Sequence, residues 1–237
     1  MEKEEQHKQS LALSRIKSAV VSLSLILLCS LFIKLSLHGF IYGLSWLVLP
    51  ALFLGYLLAD FITGTIHWFC DTFFDEETPV IGNFIIYSFR EHHSHPLLIT
   101  KDKFIEQDTT SFFIFMPFLY FATFTEISYL NSPNSIYGHS ILIGVCIGTF
   151  CTNLFHKWAH QRNQNFIIKK MQKSGLILNP NSHKKHHVDH SKGYCVTSGL
   201  MNPILDYVKF YQNLERFIRF FLYESRNVTK LNGMLYI

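Results

Sequence analysis

FIYGLSWLVLPALFLGYLLADFI, residues 40–62, runs on through Thr63-Gly64-Thr65 into Ile66-His67-Trp68-Phe69-Cys70-Asp71. An apolar run of this length is enough to cross a hydrocarbon core about 30 Å thick. It leads directly into a histidine and a carboxylate four residues apart, which share one face if the helix continues. The stretch therefore predicts a membrane helix that carries metal-competent side chains out of the bilayer at one end.

Three more stretches behave alike. Residues 19–37 are apolar apart from Lys34, and a tight break at His38-Gly39 separates them from 40–62. Residues 112–130 and 136–155 form a second pair, split by a polar turn at 131–135 that contains Pro133. Of the 237 residues 49% are hydrophobic and 16% charged, against about 25% charged in an average soluble domain. Four such helices are too many for the interior of a soluble enzyme of this length. The first stretch is longer than the apolar region of a secretory signal, and no small-x-small cleavage site follows it. Glu2, Glu4 and Glu5 argue against an acid-poor transit peptide. It reads as a retained membrane helix.

Lys and Arg set the orientation. Lys3, Lys8, Arg15 and Lys17 lie in the N-terminal tail, Arg90, Lys101 and Lys103 in the central loop, and thirteen more from Lys157 to Lys230. The two short hairpins hold none; Lys34 and Glu126 lie close enough to helix ends to snorkel. The expected fold is an all-α membrane protein with four transmembrane helices in two hairpins and a cytosolic histidine-rich helical cap, residues 156–237. All of 1–237 forms a single domain, with both termini cytoplasmic. The net charge of +4 lies on the cytosolic face, where anionic headgroups can meet it. Cys29, Cys70, Cys146, Cys151 and Cys195 form no C-x-x-C pair and read as unpaired thiols.

Thirteen histidines need explaining. His7 lies in the tail, and His38 and His139 lie on the non-cytosolic side. The other ten fall in four cytosolic clusters: His67; His92-His93 with His95; His156 and His160; His183, His186 and His187 with His190. On a helix, i with i+3 or i+4 aims two imidazoles at one point. His156/His160 has this spacing, and so does His183 with both His186 and His187. The tandem pairs His92-His93 and His186-His187 diverge by about 100°, which suits two metals side by side. Eight histidines (His67, His92, His93, His156, His160, His183, His186, His187) exceed the four ligands of a tetrahedral zinc. Asp71 is the candidate catalytic carboxylate, orienting or supplementing them; Glu91 is a further candidate for a supporting role. There is no carboxylate cluster of the ferritin kind and no H-E-x-x-H. Attack on an unactivated C–H bond from a membrane-embedded site needs an oxidant such as activated O₂ on iron, which redox-inert zinc cannot supply. The pattern thus favours a non-haem di-iron oxygenase or desaturase.

At these residues the chain resembles the Kua/CarF-type lipid desaturases, which include plasmanylethanolamine desaturases and plastid phosphatidylglycerol acyl desaturases. The strings that carry the resemblance are Ala59-Asp60-Phe61, Gly64, His67-Trp68, Asp71-Thr72 and Pro79-Val80-Ile81-Gly82. They continue with Phe89-Arg90-Glu91-His92-His93, Pro96, His156-Lys157-Trp158-Ala159-His160, His183, His186-His187, Tyr194-Cys195, Thr197, Gly199 and Asn202. Their order holds from about residue 49 to 211. His95 stands where the family pattern has an acidic residue, and His190-Ser191 where it tends to have Pro-His. The resemblance implies a membrane enzyme with two iron ions on the eight histidines, O₂ as co-substrate and a bilayer phospholipid as substrate. For the plasmanyl branch, which the short N-terminus fits better than the plastid branch, the product is the vinyl ether of a plasmalogen. No haem or flavin motif is visible, so the expected partner is an external electron donor, cytochrome b5-like or ferredoxin-like, with no nucleic acid. A lipid hydroxylase, an acyl-lipid desaturase acting at another position and a non-catalytic membrane metal-binding protein are the rival readings. Beyond His160 the chain reads as cytosolic helices that stay out of the membrane, with basic amphipathic segments at 165–178 and 203–223 that suit the headgroup layer or the cap.

Overall fold

A computed structural model of the chain describes residues 2–82, 86–101, 104–124 and 132–234. Among them every regular element is helical: α1 (Glu2–Ile41), α2 (Ser45–Phe73), α3 (Tyr87–Ser94), α4 (Phe104–Phe124), α5 (Pro133–His160), α6 (Phe166–Lys173), α7 (Pro180–Val188), α8 (Asn202–Tyr207) and α9 (Phe210–Met234). A short 3-10 turn at Leu98–Thr100 precedes α4. Among the described residues three helices are long and apolar enough to cross a membrane: Leu11–Ile41, Ser45–Phe73 and Pro133–His160. The stretch expected at 112–130 is described as far as Phe124, where Thr109–Phe124 is an apolar helix shorter than a full span. Glu126, Asn131 and Lys103 lie outside the described residues.

Only 28% of the apolar window in Leu11–Ile41 is buried, and Trp46, Leu49 and Phe121 are 70%, 75% and 71% exposed. An apolar surface of this extent is the kind that faces lipid. Inward, Leu27, Leu31 and Leu35 of α1 pack with Phe112 and Leu119 of α4 and with Ile143, Cys146 and Phe150 of α5. The Phe112 and Phe150 rings stack with centroids 3.9 Å apart. The most extensive pairing is α2 with α5, and glycine makes it possible. A Cβ on Gly55 would strike the Ile141 carbonyl, one on Gly144 the Leu52 carbonyl, and one on Gly148 the Ala59 methyl. The two backbones are in direct contact, so α2 and α5 deliver their C-terminal ends side by side.

Three boundaries differ from the sequence reading. The break between the first two helices falls at Tyr42–Leu44, beyond His38-Gly39. Gly43, at φ 67, makes the left-handed turn, with Leu44 N–H donating to Gly39 O and Gly43 N–H to Phe40 O, a Schellman closure. Pro133–Ser135 form the first turn of α5, because the Ser132 hydroxyl caps Ser135 N–H and Pro133 suits a helix start. The expected helix over 203–223 is two helices, split where Lys209 takes φ 52. Nor does the cap stand clear of the membrane helices. Tyr56 OH, inside the apolar stretch of α2, donates to Leu176 O at 2.6 Å. A second core of Trp68, Tyr194, Cys195, Leu205 and Tyr211 ties the end of α2 to the segments after α7.

Gly144→Val should lower the thermal midpoint of the detergent-solubilised protein by the equivalent of about 1–3 kcal/mol or more, as overpacking a filled interface does. Gly138→Val, at a glycine with nothing within 4 Å of its added Cβ, should leave it nearly unchanged.

Candidate metal centre

α2 runs unbroken to Phe73, so His67 and Asp71 stand one turn apart with Nε2 and Oδ2 3.3 Å from each other. α5 carries His156 and His160 at the same spacing. α3 supplies His92 and His93. α7 starts cleanly because Asn179 caps Asn181 N–H and Pro180 occupies the first turn, and it supplies His183, His186 and His187. All eight histidines and Asp71 come together.

They do so as two donor groups. His92, His156, His160, His183 and His187 each offer a nitrogen, all within 4.8 Å of one another; His67, Asp71, His93 and His186 form the second such group. Each tandem pair is split, one member to each group, as their divergence on a helix requires. His183 sits with His187 (Nε2–Nε2 3.0 Å), while His186 faces His93 (3.2 Å) across the other group. His95 and Glu91 belong to neither; Glu91 accepts a hydrogen bond from Tyr87 at 2.9 Å. His190 lies parallel to the His93 ring, with centroids 4.5 Å apart. His38 and His139 bond to Lys34 O and Ser135 O within their own helices, away from the cluster.

Several observations fit a bound metal. His67 Nδ1 donates to Tyr194 O at 3.1 Å and His186 Nδ1 to Lys192 O at 2.8 Å. A carbonyl only accepts, so each Nε2 keeps its lone pair for the site. Both oxygens of Asp71, both nitrogens of His92 and Nδ1 of His183 are buried with no hydrogen-bond partner, a loss of about 1–3 kcal/mol each unless something else satisfies them. His183 Nε2 lies 2.8 Å from that of His156, 2.8 Å from that of His160 and 3.0 Å from that of His187. Nitrogens bound at about 2.1 Å are about 3.0 Å apart at right angles and about 3.4 Å apart in a tetrahedron. The nitrogens are therefore close enough together to share one ion.

Four imidazoles on α3 and α7 are held neutral. Burial, then the neighbouring His160, drives His92 down to about 2. Burial, then His186, drives His93 to about 3, and burial, then His160, drives His187 to about 4. His183 is likewise held well below the usual range by burial and then His160.

One organising residue was given no role in the sequence reading. Asp60, fully buried on α2, accepts from Thr197 N–H (3.0 Å), Ser198 N–H (2.8 Å), Ser198 Oγ (3.0 Å), Gly199 N–H (3.1 Å) and Met201 N–H (3.3 Å). Thr197 Oγ1 also bonds Thr63 at 3.0 Å and Thr152 at 2.7 Å, so one residue joins α2, α5 and the loop after α7. The signal was available. Asp60 is the only charged residue within 40–62, and an ionisable group in a membrane helix marks a special site.

Asp60→Asn, which turns an amide N–H₂ toward several donors, should destabilise the protein by about 3 kcal/mol and reduce bound metal. Thermal melting and metal analysis of the purified protein check this. The depressed histidines give a second expectation. Above about pH 6.5 neither the folded nor the unfolded chain protonates them. Below it the unfolded chain takes up protons that the folded site refuses, so stability falls as pH drops toward 4. The melting midpoint should be flat above pH 7 and decline between about pH 6.5 and 4, with metal released over the same interval.

A family model described as a lipid desaturase domain matches residues 56–226. A plasmanylethanolamine desaturase of Myxococcus xanthus is 37% identical over 77% of this chain and 64% of its own length. Plasmanylethanolamine desaturase 1 of Mus musculus is 32% identical over 73% of this chain and 65% of its own. The chloroplastic fatty acid desaturase 4 of Arabidopsis thaliana is 32% identical over 70% and 50%. The chain thus spans just under two thirds of the first two relatives and half of the third. No solved structure matches it. The matched region holds both donor groups and the Asp60 clamp, and the chain belongs to the lipid desaturase family.

Proposed function

We propose that this protein is a multi-pass membrane oxidoreductase that holds two non-haem irons and uses O₂ to introduce a double bond into a phospholipid chain. Its product on this reading is the vinyl ether of a plasmalogen, made from a 1-O-alkyl phospholipid. The observation that carries the reading is the pair of adjoining donor groups at the ends of two apolar helices, α2 and α5. His92, His156, His160, His183 and His187 would hold one ion, and His67, Asp71, His93 and His186 the other. Bound iron would supply the O₂-derived oxidant that cleavage of an unactivated C–H bond requires.

The chain's own residues do the rest. The Tyr194 and Lys192 carbonyls fix the rings of His67 and His186, so the donors are set before any substrate arrives. Asp71 brings negative charge to the second group, with an oxygen 3.7 Å from His93 Nε2 as well as beside His67. Ile66 and Phe69, exposed on α2 at 51% and 41%, extend its apolar outer surface to the level of the donors. An alkyl chain can follow that surface without entering water. In the proposed topology α4 completes a fourth span, and the tail, the central loop and the cap face the cytoplasm. Electrons come from a separate donor, cytochrome b5-like or ferredoxin-like. The likeness to a fatty acid desaturase supports acyl desaturation as the second reading.

The protein and its His186→Ala variant should be expressed in cells that make 1-O-alkyl phospholipids but lack vinyl ethers, with acid-labile vinyl ethers profiled by mass spectrometry. Vinyl ethers are expected with the intact chain and absent with the variant. New acyl double bonds in their place would move the assignment to the second reading. No lipid product at all, from well-expressed protein with an available donor, would remove the enzyme assignment.

A further inference from the structure

Two residues of the central motif, Arg90 and Glu91, lie outside both donor groups. Arg90 is exposed, yet it is not loose. Its Nη2 donates to Phe74 O at 2.6 Å and to Asp71 O at 3.2 Å, which holds the guanidinium at the last carbonyls of α2. Among the described residues no carboxylate pairs with it, and Nε and Nη1 have no acceptor. A guanidinium offers five N–H donors in a fixed fork. Three of them remain for a ligand.

The setting narrows what that ligand is. Asp75, Glu76 and Glu77, immediately after Phe74, are exposed acids. Tyr87, one turn before Arg90, is held by Glu91 and lies within electrostatic reach of Glu76. A free inorganic anion would meet this acidic rim and be repelled. A headgroup carrying phosphate and ammonium together matches it, with the phosphate on the arginine and the ammonium among the carboxylates. Exposed Ile66 and Phe69 bring the lipid-facing surface to the same end of α2.

Distance narrows it further. Arg90 and His93 are three residues apart on α3, about 5–6 Å between their Cβ atoms. In a 1-O-alkyl glycerophospholipid six bonds separate the phosphorus from the first alkyl carbon, about 7 Å when extended. The guanidinium itself bonds the backbone carbonyl of Asp71, whose carboxylate belongs to the same donor group as His93, so a phosphate on Arg90 would lie beside that group and bring the glycerol end of the lipid to it. A bond in the middle of a chain lies well beyond that point.

The geometry points to a headgroup subsite on the outer face of α3, in which Arg90 binds the phosphate of a zwitterionic glycerophospholipid and Glu91, with Glu76, receives its ammonium. The subsite rests on the desaturase reading and deepens it. Arg90 is a ruler that selects the bond next to the ether oxygen.

The test is binding, read separately from turnover. The purified full-length protein in detergent is offered 1-O-alkyl-2-acyl-glycerophosphoethanolamine or the phosphate-free 1-O-alkyl-2-acylglycerol, and retained lipid is quantified by native mass spectrometry. The intact protein should favour the phospholipid by about tenfold or more, and equimolar inorganic phosphate should not displace it. Metal content is measured on every variant, and the comparison is made on protein that retains its metal: there Arg90→Gln should abolish the preference, Arg90→Lys, which keeps the charge, should keep part of it, and Glu91→Gln should weaken retention of the ethanolamine lipid. In turnover, Arg90→Gln should raise KM more than it lowers kcat. Equal retention of the two lipids by the intact protein overturns the subsite without recourse to any variant. So does an Arg90→Gln protein that keeps the preference. Displacement by inorganic phosphate would reduce the site to a simple anion site and overturn the headgroup assignment. A preference that depends on Arg90 in a protein that makes no vinyl ether would leave the subsite standing and remove the proposed reaction. Vinyl ether made normally by Arg90→Gln would do the reverse.

Discussion

A single buried carboxylate holds the arrangement together. The segment that follows α7 has no regular structure around residues 194–198 and packs against α2 beside Asp60 and Thr63. Buried backbone N–H groups so placed must find partners inside the protein, since water does not reach them. Asp60 accepts four of them and one hydroxyl. With the loop anchored, Tyr194 O is in position to take the His67 Nδ1–H, and Cys195 presses against Gly64, where an added Cβ would come within 2.6 Å of its sulfur. Asn202 completes the anchor through reciprocal bonds to the backbone of Cys195. The charge is thus tied to the donors through backbone, without lying among them.

The second constraint is the glycine contact between α2 and α5. Apolar side chains gain little by packing against each other instead of lipid, so close backbone approach through small residues does much of the work of association in a bilayer. Gly55, Gly144 and Gly148 permit that approach. Its consequence appears two turns further on, where Thr63 and Thr152 meet at Thr197 and the His67 and His156 rings come within 6.4 Å. Separating the two helices by the width of a methyl group would pull the two donor groups apart.

Two faces of α3 then serve two ends. His92 and His93 turn toward the donors, one to each group, while Tyr87, Arg90 and Glu91 line the exposed side. This short helix is held by what it bonds at either face: imidazoles inside, with His93 against His186, and the carbonyl end of α2 through Arg90. The donor group and the outer rim share one rigid element, so the distance between them is fixed.

The membrane character, most of the helices and the nine candidate donors that the fold brings together were legible from sequence, because each depends on local pattern. Apolar length announces a span, and i, i+4 spacing aims His156 with His160 and His67 with Asp71 whatever lies around them. Turn positions were legible only roughly. Gly39 and Gly43 are equally good breakers on paper, and the closing hydrogen bonds favoured Gly43. The division of donors was not legible at all. His183 has His186 at i+3 and His187 at i+4, and only the placement of α3 and α5 around α7 gives it to His187 and sends His186 to His93. Nor could the sequence say what Asp60 was for. It showed a charge where charges are expensive, but its partners lie some 137 to 141 residues along the chain. Local spacing determines which side chains can converge; the contacts between distant segments decide which of them do.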